Sequence, residues 1–103
     1  MLVYGVVHLQ SLPGSPSNSL SLDEIINSAQ EDVNSLISGG VDGIIIENFG
    51  DTPFVKDNIS KRTLANFTTV AGTLSIDREI KVGINVLRND GIAALSIAEA
   101  TKS

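Results

Sequence analysis

The sequence predicts an α/β fold built from parallel strand–helix units, and three observations predict it. Three apolar, β-branched-rich runs at about 2–9, 41–47 and 80–86 recur at nearly even spacing along the 103 residues. Segments with helical periodicity, about 22–38, 61–75 and 90–101, follow each run in turn. Each run is close to continuous, as expected of a strand buried in a parallel sheet rather than one alternating between core and solvent. Strand, helix, strand, helix, strand, helix is the order of βαβ units, in which a crossover helix returns the chain to begin a parallel strand.

The first strand spans Leu2 to Leu9, and a loop follows with the turn signal Pro13-Gly14 and a second proline at Pro16. The first helix is the most sharply written element. Leu22, Ile25, Ile26, Ala29, Val33, Leu36 and Ile37 fall on one face at a 3.6-residue period. Ser21 with Glu24 three residues on has the form of a capping box, and Gly39-Gly40 supplies the left-handed ending of a helix stop. The second strand closes on Ile44-Ile45-Ile46-Glu47, and a long loop, 48–59, leads to Ser60, the N-cap expected for the second helix. Leu64, Phe67, Val70, Ala71 and Leu74 give that helix its apolar face. The third strand ends at Val86, and Asn89 or Asp90 is placed to cap a third helix containing Ile92, Ala93, Ala94, Leu95, Ile97 and Ala98.

Composition removes several function classes. Apolar residues make up 42% of the chain, too many for a disordered segment, and few are aromatic, so the core must be aliphatic. The net charge is −5, and the seven Lys and Arg never form a basic run, which argues against nucleic acid as a partner. With no cysteine there is neither a disulfide framework nor thiolate chemistry. No apolar run approaches bilayer-spanning length, and the N-terminus lacks the basic start of a signal peptide, so no membrane span and a cytoplasmic location are expected. Phosphate-loop, dinucleotide, zinc-protease and nucleophile-elbow motifs are all absent, no ligand spacing supports a metal site, and no cofactor is indicated.

In a parallel sheet the C-terminal strand ends collect the chemistry, because the loops that follow them surround one pocket. His8 closes the first strand, Glu47 and Asn48 the second, and Asn85 the third, with Arg88 and Asp90 just beyond. His8 and Glu47 are the acid–base candidates; Asn48, Asp51, Asn85, Arg88 and Asp90 are candidates for holding a small hydroxylated or anionic substrate. Each has a plainer reading. A histidine can end a strand as a structural hydrogen-bonder, Asp90 or Asn89 can simply cap a helix, and Arg88 can pair with a neighbouring carboxylate. Glu47 is the hardest to explain structurally, since a carboxylate directly after three isoleucines is costly unless something needs it. Asp42 lies at the opposite end of its strand and reads as structural.

Three stretches together resemble the BtpA family. They are Gly5-Val6-Val7-His8-Leu9 with Leu12-Pro13-Gly14-Ser15-Pro16; Gly39 through Asp51 with Pro53-Phe54; and Val82-Gly83-Ile84-Asn85-Val86-Leu87-Arg88-Asn89-Asp90. The resemblance covers essentially the whole chain, in order. It implies the first three units of a (β/α)8 TIM barrel and a predicted barrel enzyme with no firmly assigned reaction, acting on a small phosphorylated or nucleoside-like sugar, as SgcQ-type relatives near sugar-metabolism genes suggest. It also implies, in photosynthetic organisms, a link to photosystem I biogenesis, and with it an alternative role as a non-catalytic assembly factor working through a protein partner. The departure is length: a closed barrel needs roughly 200 residues or more. An incomplete barrel is therefore expected, with an open apolar sheet face, two free sheet edges and a need for the remaining units or an oligomeric partner.

Overall fold

The computed structural model describes residues 2–13, 18–48, 60–86 and 91–101. Among them the chain forms β1 (Tyr4–His8), α1 (Leu22–Ser38), β2 (Gly43–Glu47), α2 (Lys61–Thr73), β3 (Lys81–Asn85) and α3 (Gly91–Thr101). The three strands make one parallel sheet in the order β1-β2-β3, the α/β architecture that the sequence predicts. Each strand is paired in step with the next, so Tyr4, Gly43 and Lys81 lie at one level, and His8, Glu47 and Asn85 at another.

Successive strands added on the same side, through crossovers of one hand, place their helices on one face of the sheet. That face carries Gly5 and Val7 of β1, Ile44 and Ile46 of β2, and Val82 and Ile84 of β3. Val7, Ile44 and Ile46 are sealed beneath Ile25, Ala29 and Val33 of α1, Phe67, Val70 and Ala71 of α2, and Ala93 and Ile97 of α3. Close approach is needed at Gly5, where a Cβ would stand only 2.6 Å from a methyl of Leu36 on α1.

The helix signals are realised at specific atoms. The Ser21 hydroxyl accepts from the Glu24 backbone N–H at 3.2 Å, and the Glu24 carboxylate accepts from the Ser21 N–H at 3.1 Å. At the other end Gly40 takes φ +89°, a left-handed conformation that a side chain would strain, and its N–H reaches the Ile37 carbonyl at 3.0 Å. Ser60 caps α2 by accepting from the Thr63 N–H at 3.1 Å. Ser21→Ala is expected to lower stability by about 1 kcal/mol, read as an earlier denaturation midpoint. The bond from the Ser21 backbone N–H, then that with its side chain, holds the Glu24 carboxyl below its ordinary value. A depressed carboxylate stabilises the fold fully above its unfolded value and loses that contribution as pH falls through the folded one. Glu24→Gln should therefore flatten the acid limb of the stability curve.

Polar side chains pin the connections. The Asp42 carboxylate accepts from the Val3 N–H at 2.8 Å, while the Asp42 N–H donates to the Val3 carbonyl at 2.7 Å, fixing the entry to the sheet. Asp42 is thus structural, as its place at the start of the strand suggests. Gln30 of α1 both donates to the Ser75 carbonyl and accepts from its N–H, tying α1 to the segment after α2. Asn66 of α2 donates to the Pro13 carbonyl at 3.0 Å and holds the loop after β1.

Two patterns of exposure stand out. The burial on both faces that a continuous apolar run suggests does not hold for β1, where Tyr4 and Val6 are 43% and 42% exposed, in keeping with the open apolar sheet face expected of three units. Their side chains stand on the face away from the helices, which nothing among the described residues covers as the helices cover the other. α3, apolar almost all round, packs through Ala93 and Ile97 but leaves Ile92 and Leu95 exposed.

Candidate functional site

The strand ends converge because the register sets them level. β1 pairs His8 with Glu47, and β2 pairs Glu47 with Asn85, so three polar residues form one row across the C-terminal edge of the sheet. Alternation along each strand fixes their face as well. His8 follows Val6 and Tyr4, Glu47 follows Ile45 and Gly43, and Asn85 follows Gly83 and Lys81, all on the side away from the helices. Beneath the polar row lies an apolar one of Val6, Ile45 and Gly83. Gly83 adds no side chain there, and a Cβ built on it would sit 3.7 Å from Ile45. The level below has the Tyr4 ring lying over Gly43.

Within the polar row the side chains touch. Asn85 Nδ2 donates to Glu47 Oε2 at 2.6 Å. Glu47 Oε1 stands 3.5 Å from His8 Nε2, a charge pair when the imidazole is protonated. The Glu47 side chain is 16% exposed and that of His8 51%, so the carboxylate is sheltered while the imidazole faces solvent. A sheltered carboxylate held by an amide on one oxygen and facing an accessible imidazole with the other is an arrangement suited to moving protons. As a half-exposed pair it contributes little to stability.

Asn48 is placed differently. It is 1% exposed and stands one residue beyond Glu47, at a point where Leu9 after β1 and Val86 after β3 are also buried. Continued alternation turns it toward the helix layer, and no buried side-chain polar atom among the described residues lacks a hydrogen-bond partner. Its position is that of a buried anchor behind the row. Asp51, Arg88 and Asp90 lie outside the described residues, as does the expected cap of α3 at Asn89 or Asp90. The floor residues Val6, Ile45 and Gly83 were not evident as site residues from the strand ends alone. Counting back by twos from His8, Glu47 and Asn85 would have found them.

No group of three or more His, Asp or Glu among the described residues is arranged to hold a metal ion, and no helix among them is long and apolar enough to cross a membrane. A cavity of about 620 Å³ opens at the other end of the sheet, lined by Gly72, Leu74, Asp77, Arg78, Lys81 and Thr101 among others. It runs along the free edge of β3 and contains none of the polar row. A smaller groove of about 320 Å³ borders His8 and Val6, with Asp32, Ser35 and Leu36 of α1 as its other wall.

Known proteins share this sequence closely. An uncharacterised protein of Archaeoglobus fulgidus is 46% identical over 101 residues, which are 98% of this chain and 40% of that protein. The photosystem I biogenesis protein BtpA of Synechocystis is 44% identical over 96 residues, covering 93% of this chain and 33% of that protein. A mitochondrial protein of Caenorhabditis elegans, also uncharacterised, is 31% identical over 105 residues and is covered to 38%. The chain thus spans about two-fifths or less of the length of these relatives. No solved structure matches. The profile of the BtpA family, by contrast, matches residues 1–103 from end to end, taking in all three strands and the polar row, and the chain belongs to that family.

Proposed function

We propose that this chain supplies part of the acid–base site of a (β/α)8 barrel enzyme acting on a small phosphorylated or nucleoside-like sugar. The observation that carries the reading is the level row His8–Glu47–Asn85, on the sheet face opposite the helices and at the strand ends from which barrel enzymes build their sites. In a barrel that face is the interior, and the exposure of Tyr4 and Val6 is the consequence of seeing it without the opposite wall. His8 and Glu47 move the proton. Arg88, Asp51 and Asp90, which follow the strand ends in sequence, are the groups proposed to hold phosphate and hydroxyls.

Proton transfer next to a carbonyl can be read without knowing the product. The complete protein to which these three units belong is incubated in D2O with a panel of pentose phosphates, hexose phosphates and nucleosides, and deuterium in the recovered compounds is measured. Incorporation or conversion that disappears in Glu47→Gln supports the reading. A panel untouched by the wild-type protein, or turned over equally by Glu47→Gln, overturns it.

A second reading takes its support from the name of the Synechocystis relative, a photosystem I biogenesis protein. On that reading the chain works through a protein partner, and Ile92 and Leu95, 80% and 73% exposed on α3, are available to meet one. It predicts that Glu47→Gln is tolerated while Leu95→Asp is not.

A further inference from the structure

Asn85 invites a substrate-binding role by its position alone, since an amide at a strand end is well suited to a hydroxyl or phosphate. Its side-chain N–H, however, is directed at Glu47 Oε2 at 2.6 Å, short for a nitrogen donor. The other oxygen of the same carboxylate faces His8 Nε2 at 3.5 Å. The two contacts use the two ends of one rigid planar group. Rotation of the carboxylate that broke one would move the other.

We propose that Asn85 is a positioning residue that acts on His8 through Glu47, rather than a group that holds substrate. The amide fixes the carboxylate plane, and the carboxylate fixes the imidazole. Geometry favours this over a direct effect. His8 and Asn85 lie on strands separated by β2, with backbones two strand spacings, roughly 9–10 Å, apart. Glu47 is the residue that the register places between them. Gly83, directly below Asn85 on the same face, adds no side chain that would brace the amide from beneath, and among the described residues the bond to Glu47 is what orients it.

The assignment rests on the acid–base reading for its purpose, but its test does not require turnover. The chain has a single histidine, so one set of imidazole ¹H and ¹⁵N signals reports on His8. Those signals are compared in the wild type, Asn85→Ala, Glu47→Ala and the double variant. The expected result is a shift of the His8 signals in Asn85→Ala and loss of that effect once Glu47 is alanine, with Asn85 Nδ2 signals displaced in Glu47→Ala. Unmoved His8 signals in Asn85→Ala, or an equal effect with Glu47 removed, overturn the proposal. If Asn85→Ala loses its dispersed backbone spectrum, the near-isosteric Asn85→Asp, which replaces the donor by an acceptor, answers the same question. A coupled row in a protein that exchanges no deuterium into any compound would leave the positioning intact and remove the enzymatic reading instead.

Discussion

On the proposed acid–base role, Glu47→Gln is expected to lower kcat/KM of the complete protein by on the order of 10²–10⁴-fold, the usual contribution of a positioned acid or base. Its fold should survive. Glutamine keeps the volume of the side chain, and its carbonyl oxygen still accepts the Asn85 N–H, so the row remains occupied. What disappears is the negative charge facing His8 and the capacity to take up a proton. Because the His8–Glu47 pair is half-exposed, little stability is tied up in it, and a thermal or urea midpoint close to that of the wild type is the accompanying expectation. A large loss of activity together with a large loss of stability would mean that Glu47 is chiefly a structural residue.

Phe67→Ala is expected to have the largest effect on stability, about 3–5 kcal/mol. Phe67 is the largest fully buried side chain described, 0% exposed, and belongs to the same cluster as Val7, Ile44, Ile46 and Val70. It sits on α2, the helix connecting β2 to β3, where removing the ring leaves a void in the buried cluster between sheet and helices. Net stabilities of domains are about 5–15 kcal/mol, so the change consumes a large part of the margin. Denaturant titration by circular dichroism reads it directly. A loss below about 1 kcal/mol would show that the cluster relaxes around the missing ring, against the close packing described.

The alternation of elements is written plainly in the chain. Ile44-Ile45-Ile46 and the run before His8 mark strands by their β-branching, and the reciprocal Ser21–Glu24 bonds mark the start of α1 in four letters of sequence. Register is harder to see. His8 and Glu47 are level, as are Glu47 and Asn85, although the two pairs are separated by different numbers of residues along the chain, and only the backbone ladder fixes which residue faces which. A slip of one position would have put Val86 in the row and turned Asn85 into the helix layer. Asn48 shows the complementary case. It is adjacent to Glu47 in sequence and looks equally polar, yet strand alternation sends neighbours to opposite faces, and it is buried. The two-residue period of a strand carries that information in the sequence itself. The exposure of Tyr4 and Val6 was not legible in the run itself, because a continuous apolar run does not say which of its faces a neighbouring layer covers.

The chain places its polar row at one end of the sheet and a roomier cavity at the other, and a ligand titration decides between them. The isotope-labelled protein is titrated with ribose 5-phosphate, then with a nucleoside, and the shifts are mapped. The proposed site predicts that the His8 imidazole and the Asn85 amide move together, with Val6 and Ile45 beneath them, while Gly72, Arg78 and Lys81 stay still. Shifts confined to Gly72, Arg78, Lys81 and Thr101, with His8 unmoved, would place binding at the opposite end and contradict the account.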